Sequence, residues 1–335
     1  MTPKVPPDAS VSWRLVTPST AAGAVACFEL LGDVDEGFRR LGVTPVAPGE
    51  VRLRRLGTID HALVARPSPT LAHVMPHGGV AITRAVEAAM ESGGIQRARH
   101  VPPEIAFPEA RTPLEACALA LLARAASPLA VDVLLDQPRR WRLAGWDADR
   151  PPPRPRNGRD RLLDRLIDPP LVVALGSPNV GKSTLLNALA RRRVSIVADQ
   201  PGTTRDHVGA LIDLNGLVVR YVDAPGLREQ GADPIEARAI EVALDVARSA
   251  DLLIRVGDGA SPCRLPADLA SVPGLDVQTR ADLHPGETLA ALRLERTHLD
   301  PEPSARRLGV AIADRLLPQS VLLDDSPWAM PALPE

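Results

Sequence analysis

The sequence predicts an α/β fold, a mostly parallel sheet with helices on both faces, preceded by an α+β N-terminal domain and a short helical segment. Three observations carry this. The stretch Leu171 to Leu186, LVVALGSPNVGKSTLL, runs from an apolar strand pattern through a glycine-rich turn into a helix start. Behind it, strand and helix patterns alternate: a helix to about Arg192, a strand near Leu211–Leu214, VVRYVDAPG, a helix over Pro234–Ser249, then DLLIRVGDG. Alternation of that kind builds parallel βαβ units. Ahead of it, short apolar runs broken by turn residues, such as Gly23–Leu31 and Ala62–Ala65, lead into a helical pattern from Val80 to Met90, which is an α+β signature.

In chain order the expected units are an N-terminal α+β domain over 1–98, a helical segment over 99–149, a linker over 150–170, the α/β domain over 171–298, and a C-terminal helix and tail over 299–335. In the first unit, HVMPHGGV places His73 and His77 before a helix, and Gly78-Gly79 can bring backbone close to a ligand. A strand-to-helix turn with a capping role is the plainer reading. The second is drawn from TPLEACALALLARAASPLAVDVLL, with Pro113 in a first-turn position and Pro128 opening a second helix. The third, RPPPRPRNGRDR, reads as an extended surface linker. The last holds one helix, Ser304 to Leu317, and a proline-containing tail.

Composition narrows the class. A net charge of −2 over 335 residues gives no sign of a general nucleic-acid binder, and no DNA partner is expected. Cys27, Cys117 and Cys263 lie far apart, so neither a disulfide framework nor a metal knuckle is indicated. No apolar run reaches the ~18 residues of a membrane span, and no charged-then-apolar leader opens the chain. The expectation is a cytoplasmic protein with no membrane partner.

The residues Gly176 to Ser183, GSPNVGKS, fit G-x-x-x-x-G-K-[ST] without a gap, the P-loop pattern. Glycines let backbone N–H groups turn onto phosphates, and the helix start presents its orphan donors and positive dipole end to the same charge. Gly176, Ser177, Pro178, Asn179, Val180, Gly181, Lys182, Ser183 and Thr184 are therefore the candidate phosphate-binding residues, with Lys182 reaching the β- and γ-phosphates and Ser183 on Mg²⁺. Lys182 is one of only two lysines, the other being Lys4. In a chain that otherwise uses arginine, an ammonium kept here suggests a point charge.

Twenty residues on comes Gly202-Thr203-Thr204-Arg205-Asp206, and after a hairpin-like pair Asp223-Ala224-Pro225-Gly226. Both spacings suit GTP as ligand. Thr203 and Thr204 offer hydroxyls from a loop ordered by the γ-phosphate, Thr204 to Mg²⁺. Asp223, at a strand end, can hold an Mg²⁺-bound water, and Gly226 can bring an N–H to the γ-phosphate. No glutamine follows Gly226, so a group to position water must come from Glu229, Asp233 or Glu236.

PNVGKSTLLN, PGTTRD, DAPGLRE and DPIEARAIE together resemble the G domain of the tRNA modification GTPases of the MnmE (TrmE) family, most strongly over Leu171 to Gly259. VTPSTAAGAVACFEL and HVMPHGGVAITRAVEAAMESGG resemble, more faintly, that family's opening strand and its HGG-then-helix segment. The resemblance implies a GTP-hydrolysing P-loop G domain, an N-terminal domain that dimerises and takes a folate derivative, and tRNA or a modification protein as partner. It also implies K⁺ held by Asn179, and Glu236 as the catalytic residue that orients the attacking water.

Where that family reads N-K-x-D for guanine, this chain has Thr279-Arg280-Ala281-Asp282. Asp282 can accept from the guanine N1 and N2 donors and the Arg280 stem can lie on the base, while the Thr279 hydroxyl donates less well than an amide. Arg296-Thr297-His298 is a poor substitute for a serine-alanine base loop. The last residues, DDSPWAMPALPE, lack the family's C-terminal cysteine motif. A ribosome-assembly-type GTPase and a non-hydrolysing GTP-sensing or scaffold module stay open as alternatives.

Overall fold

Short apolar runs in the front third make strands with a face to bury, and the structure pairs them into a mixed sheet. In this computed structural model the described residues are 10–17, 23–147, 149–150, 154–177, 179–190, 210–223, 234–258, 263, 265–283, 290–297 and 299–333, with backbone placement alone for 186, 190 and 234–240. The front elements are β1 (Ser12–Leu15), β2 (Phe28–Leu31), α1 (Val34–Arg40), β3 (Val51–Leu56), β4 (Asp60–Ser68), β5 (Leu71–Met75), α2 (Val80–Ser92) and β6 (Gln96–Arg97). Their sheet runs β3-β4-β5-β2-β1-β6, antiparallel except for the parallel pairing of β6 on β1. Its core is Trp13, Phe28, Leu30, Val64 and Val74 against Phe38 of α1 and Val86 and Met90 of α2.

The turn before α2 departs from the capping expectation. Gly79 is the residue preceding the helix, and His77 ties the turn to β4 instead: its backbone N–H donates to Asp60 Oδ2 (2.8 Å) and its ring Nδ1 bonds the same carboxylate. A Cβ on Gly78 would lie 2.4 Å from the Gly23 carbonyl oxygen, so glycine is required by close backbone approach.

Four helices follow: α3 (Pro103–Ala106), α4 (Pro113–Leu122), α5 (Leu129–Leu135) and α6 (Gln137–Leu143). Thr112 caps α4 by accepting from the Glu115 N–H, with Pro113 as first helical residue, where a missing N–H costs nothing.

The segment read as an extended surface linker keeps 155–158 exposed, but from Arg154 on it is tied to the body of the protein through its arginines and Asp160. Its α7 (Gly158–Asp164) opens on a capping box between Asn157 and Asp160. Asp160 is fully buried, and its carboxylate takes both Arg154 Nη groups (2.6 and 2.9 Å) and the N–H groups of Asn157 and Ala329. Leu163, Leu166 and Ile167 then enter the main core. Buried charge of this kind persists only when paired and hydrogen-bonded, which is why the arginines are there. The tail is bound to the same place. Trp328 is buried and donates its N–H to Gln137 Oε1 (2.8 Å), while Arg140 and Arg159 both donate to the Asp324 carbonyl (2.6 Å each).

The second sheet contains β7 (Leu171–Gly176), β8 (Ala210–Leu214), β9 (Leu217–Asp223), β10 (Leu252–Gly257), β11 (Gly274–Gln278) and β12 (Leu292–Arg293), in the order β12-β11-β10-β7-β9-β8. All described pairings are parallel except that of β8 with β9. Helices α8 (Lys182–Ala190), α9 (Pro234–Arg248), α10 (Pro301–Leu316) and α11 (Gln319–Leu323), with a 3-10 turn at Ala267–Leu269, complete the described elements. A parallel strand is buried on both faces, and β7 divides accordingly. Val172 and Ala174 pack with Leu185 of α8, Leu308 of α10 and Trp328, whereas Val173 and Leu175 pack with Ala243 and Ala247 of α9.

Candidate nucleotide site

Because β7 is followed by β9 on one side and β10 on the other, the sheet order reverses at β7, and its carboxyl end is the switch point where ligands bind in such sheets. The P-loop stands there. Gly176 ends β7, and a Cβ on it would lie 2.1 Å from the Val256 carbonyl oxygen of β10, so no other residue fits. The turn then uses two left-handed residues, Asn179 (φ 63°) and Gly181 (φ 86°). Asparagine tolerates that region and glycine enters it without strain. The Leu185 N–H closes onto the Gly181 carbonyl (3.1 Å), which fixes the start of α8 with Lys182 as its first residue.

Lys182 is buried, at 8% exposure, while Asn179, Ser183 and Thr184 are exposed and Ser177 is half-buried. Val180 is buried beneath the turn. Asp223, the last residue of β9, lies opposite Ala174 of β7. Its carboxyl faces Lys182 and accepts from Ser183; loss of solvent raises its pKa from the ordinary aspartate value, and the Lys182 charge and the Ser183 hydrogen bond offset that only in part. The structure thus brings together around the turn an ammonium, which can meet phosphate charge, and a serine hydroxyl and a carboxylate, whose oxygens are ligands of the kind a divalent cation takes.

Base-side residues differ from expectation. Thr279 is fully buried, and its hydroxyl donates to the Val180 carbonyl (2.5 Å), with the Gly257 carbonyl at 3.2 Å. It ties the end of β11 to the underside of the P-loop. Arg280 takes a left-handed conformation (φ 51°), and its guanidinium lies 3.6 Å from Asp258.

The segment after it, expected to be a poor base loop, holds this turn in place. Arg280 N–H donates to Thr297 Oγ1 (3.1 Å), Ala281 N–H to the Leu294 carbonyl (3.0 Å), and Arg296 N–H to Asp282 Oδ1 (2.7 Å). Arg296 and Thr297 are therefore parts of the site that the residue types did not reveal, since the contacts span 14 and 17 residues. His298 lies outside the described residues, as do Pro178, Thr203, Thr204 and Gly226; Glu236 falls in the first turn of α9 by its backbone, and its side chain lies outside them too.

A buried lysine at a helix start behind a glycine turn, at the switch point of a parallel sheet, defines a P-loop GTPase domain. The family model described as "50S ribosome-binding GTPase" matches residues 171–279. Over part of its length the chain is similar to the tRNA modification GTPases MnmE: it is 43% identical over 159 residues to MnmE of Acidiphilium cryptum, covering 48% of this chain and 34% of that protein, and 41% identical over 157 residues to MnmE of Cereibacter sphaeroides, covering 47% and 35%. It thus spans about a third of the length of these relatives. Among solved structures, the FeoB G domain from Methanococcus jannaschii is similar at 21% identity and a TM-score of 0.31, over 44% of this chain and 97% of that one. Among the described residues, no helix is long and apolar enough to cross a membrane.

Proposed function

We propose that this chain binds GTP with Mg²⁺ at the P-loop and hydrolyses it to GDP and phosphate. The placement of Lys182, Ser183 and Asp223 around the carboxyl end of β7 is the observation that carries the reading. Lys182 neutralises the β- and γ-phosphates, and the N–H groups of Gly181 to Thr184 converge on the same oxygens. Ser183, Thr204 and Asp223 hold the Mg²⁺, which supplies charge neutralisation on the β- and γ-oxygens. Water attacks the γ-phosphorus as the bond to the β–γ bridging oxygen breaks; Glu236 orients that water, and Thr203 and Gly226 close on the γ-phosphate. Asp282 accepts from the base, with Thr279 and Arg280 setting its turn. Asn179, exposed on the left-handed corner, holds a K⁺ that takes the place of an arginine finger, a role worth about 10³–10⁵ in rate where an arginine fills it.

Steady-state hydrolysis in K⁺ and Na⁺ tests this. The intact chain is expected to turn over GTP faster in K⁺, Asn179→Ala to erase the difference with GTP binding retained, and Glu236→Ala to slow both rates. Equal rates of the intact chain in the two salts would end the K⁺ assignment, and a fully active Glu236→Ala that of the glutamate.

We also propose that the front of the chain forms an N-terminal unit over 1–98 with a helical unit behind it, ahead of the α/β unit over 171–298. An open-mouthed cavity of about 540 Å³ lies between the first sheet and the helices, lined among others by Glu29, His73, Arg99, Phe107 and Arg124. It fits a folate derivative: the nearly buried Glu29 carboxylate accepts from a pterin edge, the Phe107 ring covers its apolar face, and Arg99 and Arg124 meet the glutamate carboxylates. A second copy pairs on the β3 side, where Val51, Leu53 and Leu63 are exposed, and tRNA or a modification protein is the partner of the pair. Titration with 5-formyltetrahydrofolate in an ultracentrifuge cell checks both: a monomer that leaves the folate unbound would dismiss them.

A further inference from the structure

We infer that Ser127, in the helical segment, is a positioning residue of the nucleotide site: it braces β7 against β9 at the ends opposite the P-loop, and so sets the register in which Asp223 meets Lys182 and Ser183. The inference rests on the GTP reading above. The two sides of the proposed Mg²⁺ site stand on different strands, with Ser183 in the helix behind β7 and Asp223 at the end of β9. A slip of one residue between two strands turns every side chain of one of them to the other face, so the register of β9 on β7 decides where the Asp223 carboxylate lies.

The pairing of β9 with β7 runs from Arg220 to Asp223, opposite Leu171 to Ala174, and the Arg220 N–H donates to the Pro170 carbonyl (2.9 Å). The tip of the β8–β9 hairpin stands beyond that pairing, turned by two left-handed residues, Asn215 (φ 57°) and Gly216 (φ 91°). There the helical segment takes over. Ser127 Oγ accepts from the Val218 N–H (2.9 Å), and the Leu129 N–H donates to the Gly216 carbonyl (3.2 Å). The contact is close, since a Cβ on Gly216 would lie 2.8 Å from Leu129 Cγ. In the other direction, the Ser127 N–H donates to the Leu166 carbonyl (3.1 Å) and the Ala126 N–H to that of Ile167 (3.3 Å), on the stretch that leads into β7 at Leu171.

One residue thus holds the approach to β7 through its N–H and the start of β9 through its hydroxyl. Ser127 is 2% exposed and Val218 fully buried, so the pair is shut away from solvent. Alanine at 127 keeps the backbone bonds but leaves the buried Val218 N–H without its acceptor, which favours a hairpin shifted from its register. Threonine keeps the acceptor oxygen. A brace that serves the nucleotide site and one that serves only the fold differ in how they answer to Mg²⁺.

The test is the Mg²⁺ concentration at which the full chain half-retains a fluorescent GTP analogue, read beside its affinity in EDTA and its melting temperature. Ser127→Ala is expected to raise that concentration about threefold to tenfold, the worth of one neutral hydrogen bond, and to leave the affinity in EDTA unchanged because the P-loop is untouched. Ser127→Thr should restore the intact value. An alanine variant that melts lower with its Mg²⁺ midpoint unmoved would overturn the inference and leave the GTP reading standing. Should that variant fail to fold, hydrogen exchange of the Val218 amide in the intact chain decides: slower exchange with GTP and Mg²⁺ than with GTP in EDTA supports the brace, and equal exchange overturns it. An intact chain that binds no guanine nucleotide, with Mg²⁺ or without it, removes the GTP reading and this inference with it.

Discussion

The phosphate end of the site and its base end are built by different means, although both hang from the same parallel sheet. At the phosphate end, the candidate ligand-binding residues are neighbours in sequence: Asn179 and Gly181 take left-handed backbone angles and Lys182 opens α8, with Gly176 alone set by a distant strand, through its approach to Val256. At the base end, the turn Thr279–Asp282 has little internal structure of its own. It is held by Val180 and Gly257 on one side and by Leu294, Arg296 and Thr297 on the other. A local motif can be read residue by residue; a turn held by distant carbonyls and hydroxyls cannot. The tail repeats the second case, since Trp328 and Ala329 are fixed by Gln137 and Asp160, 191 and 169 residues away.

The largest effect that would break this comparison is at the local end. Lys182→Ala should lower GTP affinity by about 2–5 kcal/mol or more, as for loss of one partner of a desolvated charge pair. The variant should stay folded and melt close to the intact chain, because the charge that is lost faces Asp223, a carboxyl whose burial already disfavours its ionised form. Titration of a fluorescent GTP analogue beside a thermal melt checks it. Undiminished affinity in a folded variant would remove the P-loop reading, and a large drop in melting temperature would show that the phosphate end, too, is held by long-range ties.

Legibility followed the same division. The strands and helices of the α/β part and the helix over Val80–Ser92 were evident because the apolar periods are strong. The P-loop was evident because the chemistry fixes residue type at fixed spacing. In three places residue type says less than the structure does, for a shared reason. RPPPRPRNGRDR looks like a solvated linker because prolines and arginines dominate it, yet Arg154 and Arg156 point inward to Asp160, Asp164 and the tail carbonyls. Thr279 looked like a weak base donor because only its type was visible, not the Val180 carbonyl that takes its proton. Arg296-Thr297 looked like a poor loop because what matters there is a backbone N–H and a buried hydroxyl, neither of which a residue name announces.

A smaller effect sharpens the comparison from the long-range side. Asp160 accepts from Arg154, Asn157 and Ala329, so Asp160→Asn leaves donors without their anion and loosens the tail and α7 together. The expected cost is about 1–3 kcal/mol of stability, not more, because the Arg154 side chain is 30% exposed and can recover solvation. The cost should depend on pH in a set direction. Burial raises the Asp160 pKa, but the Arg154 guanidinium and the two backbone donors outweigh it, and the net shift is downward. A carboxylate with a lowered folded pKa contributes stability that is present above its unfolded value near 3.9 and is lost as pH falls through the folded value. Urea unfolding of the intact chain and the variant should therefore show a constant gap near neutrality that narrows only in acid, below about pH 4. GTP affinity of the folded variant should stay unchanged, since Asp160 touches neither the P-loop nor the base turn. A variant as stable as the intact chain would return residues 154–160 to the surface linker that their composition suggests, and a gap that widens in acid would mean that the buried carboxylate is held neutral.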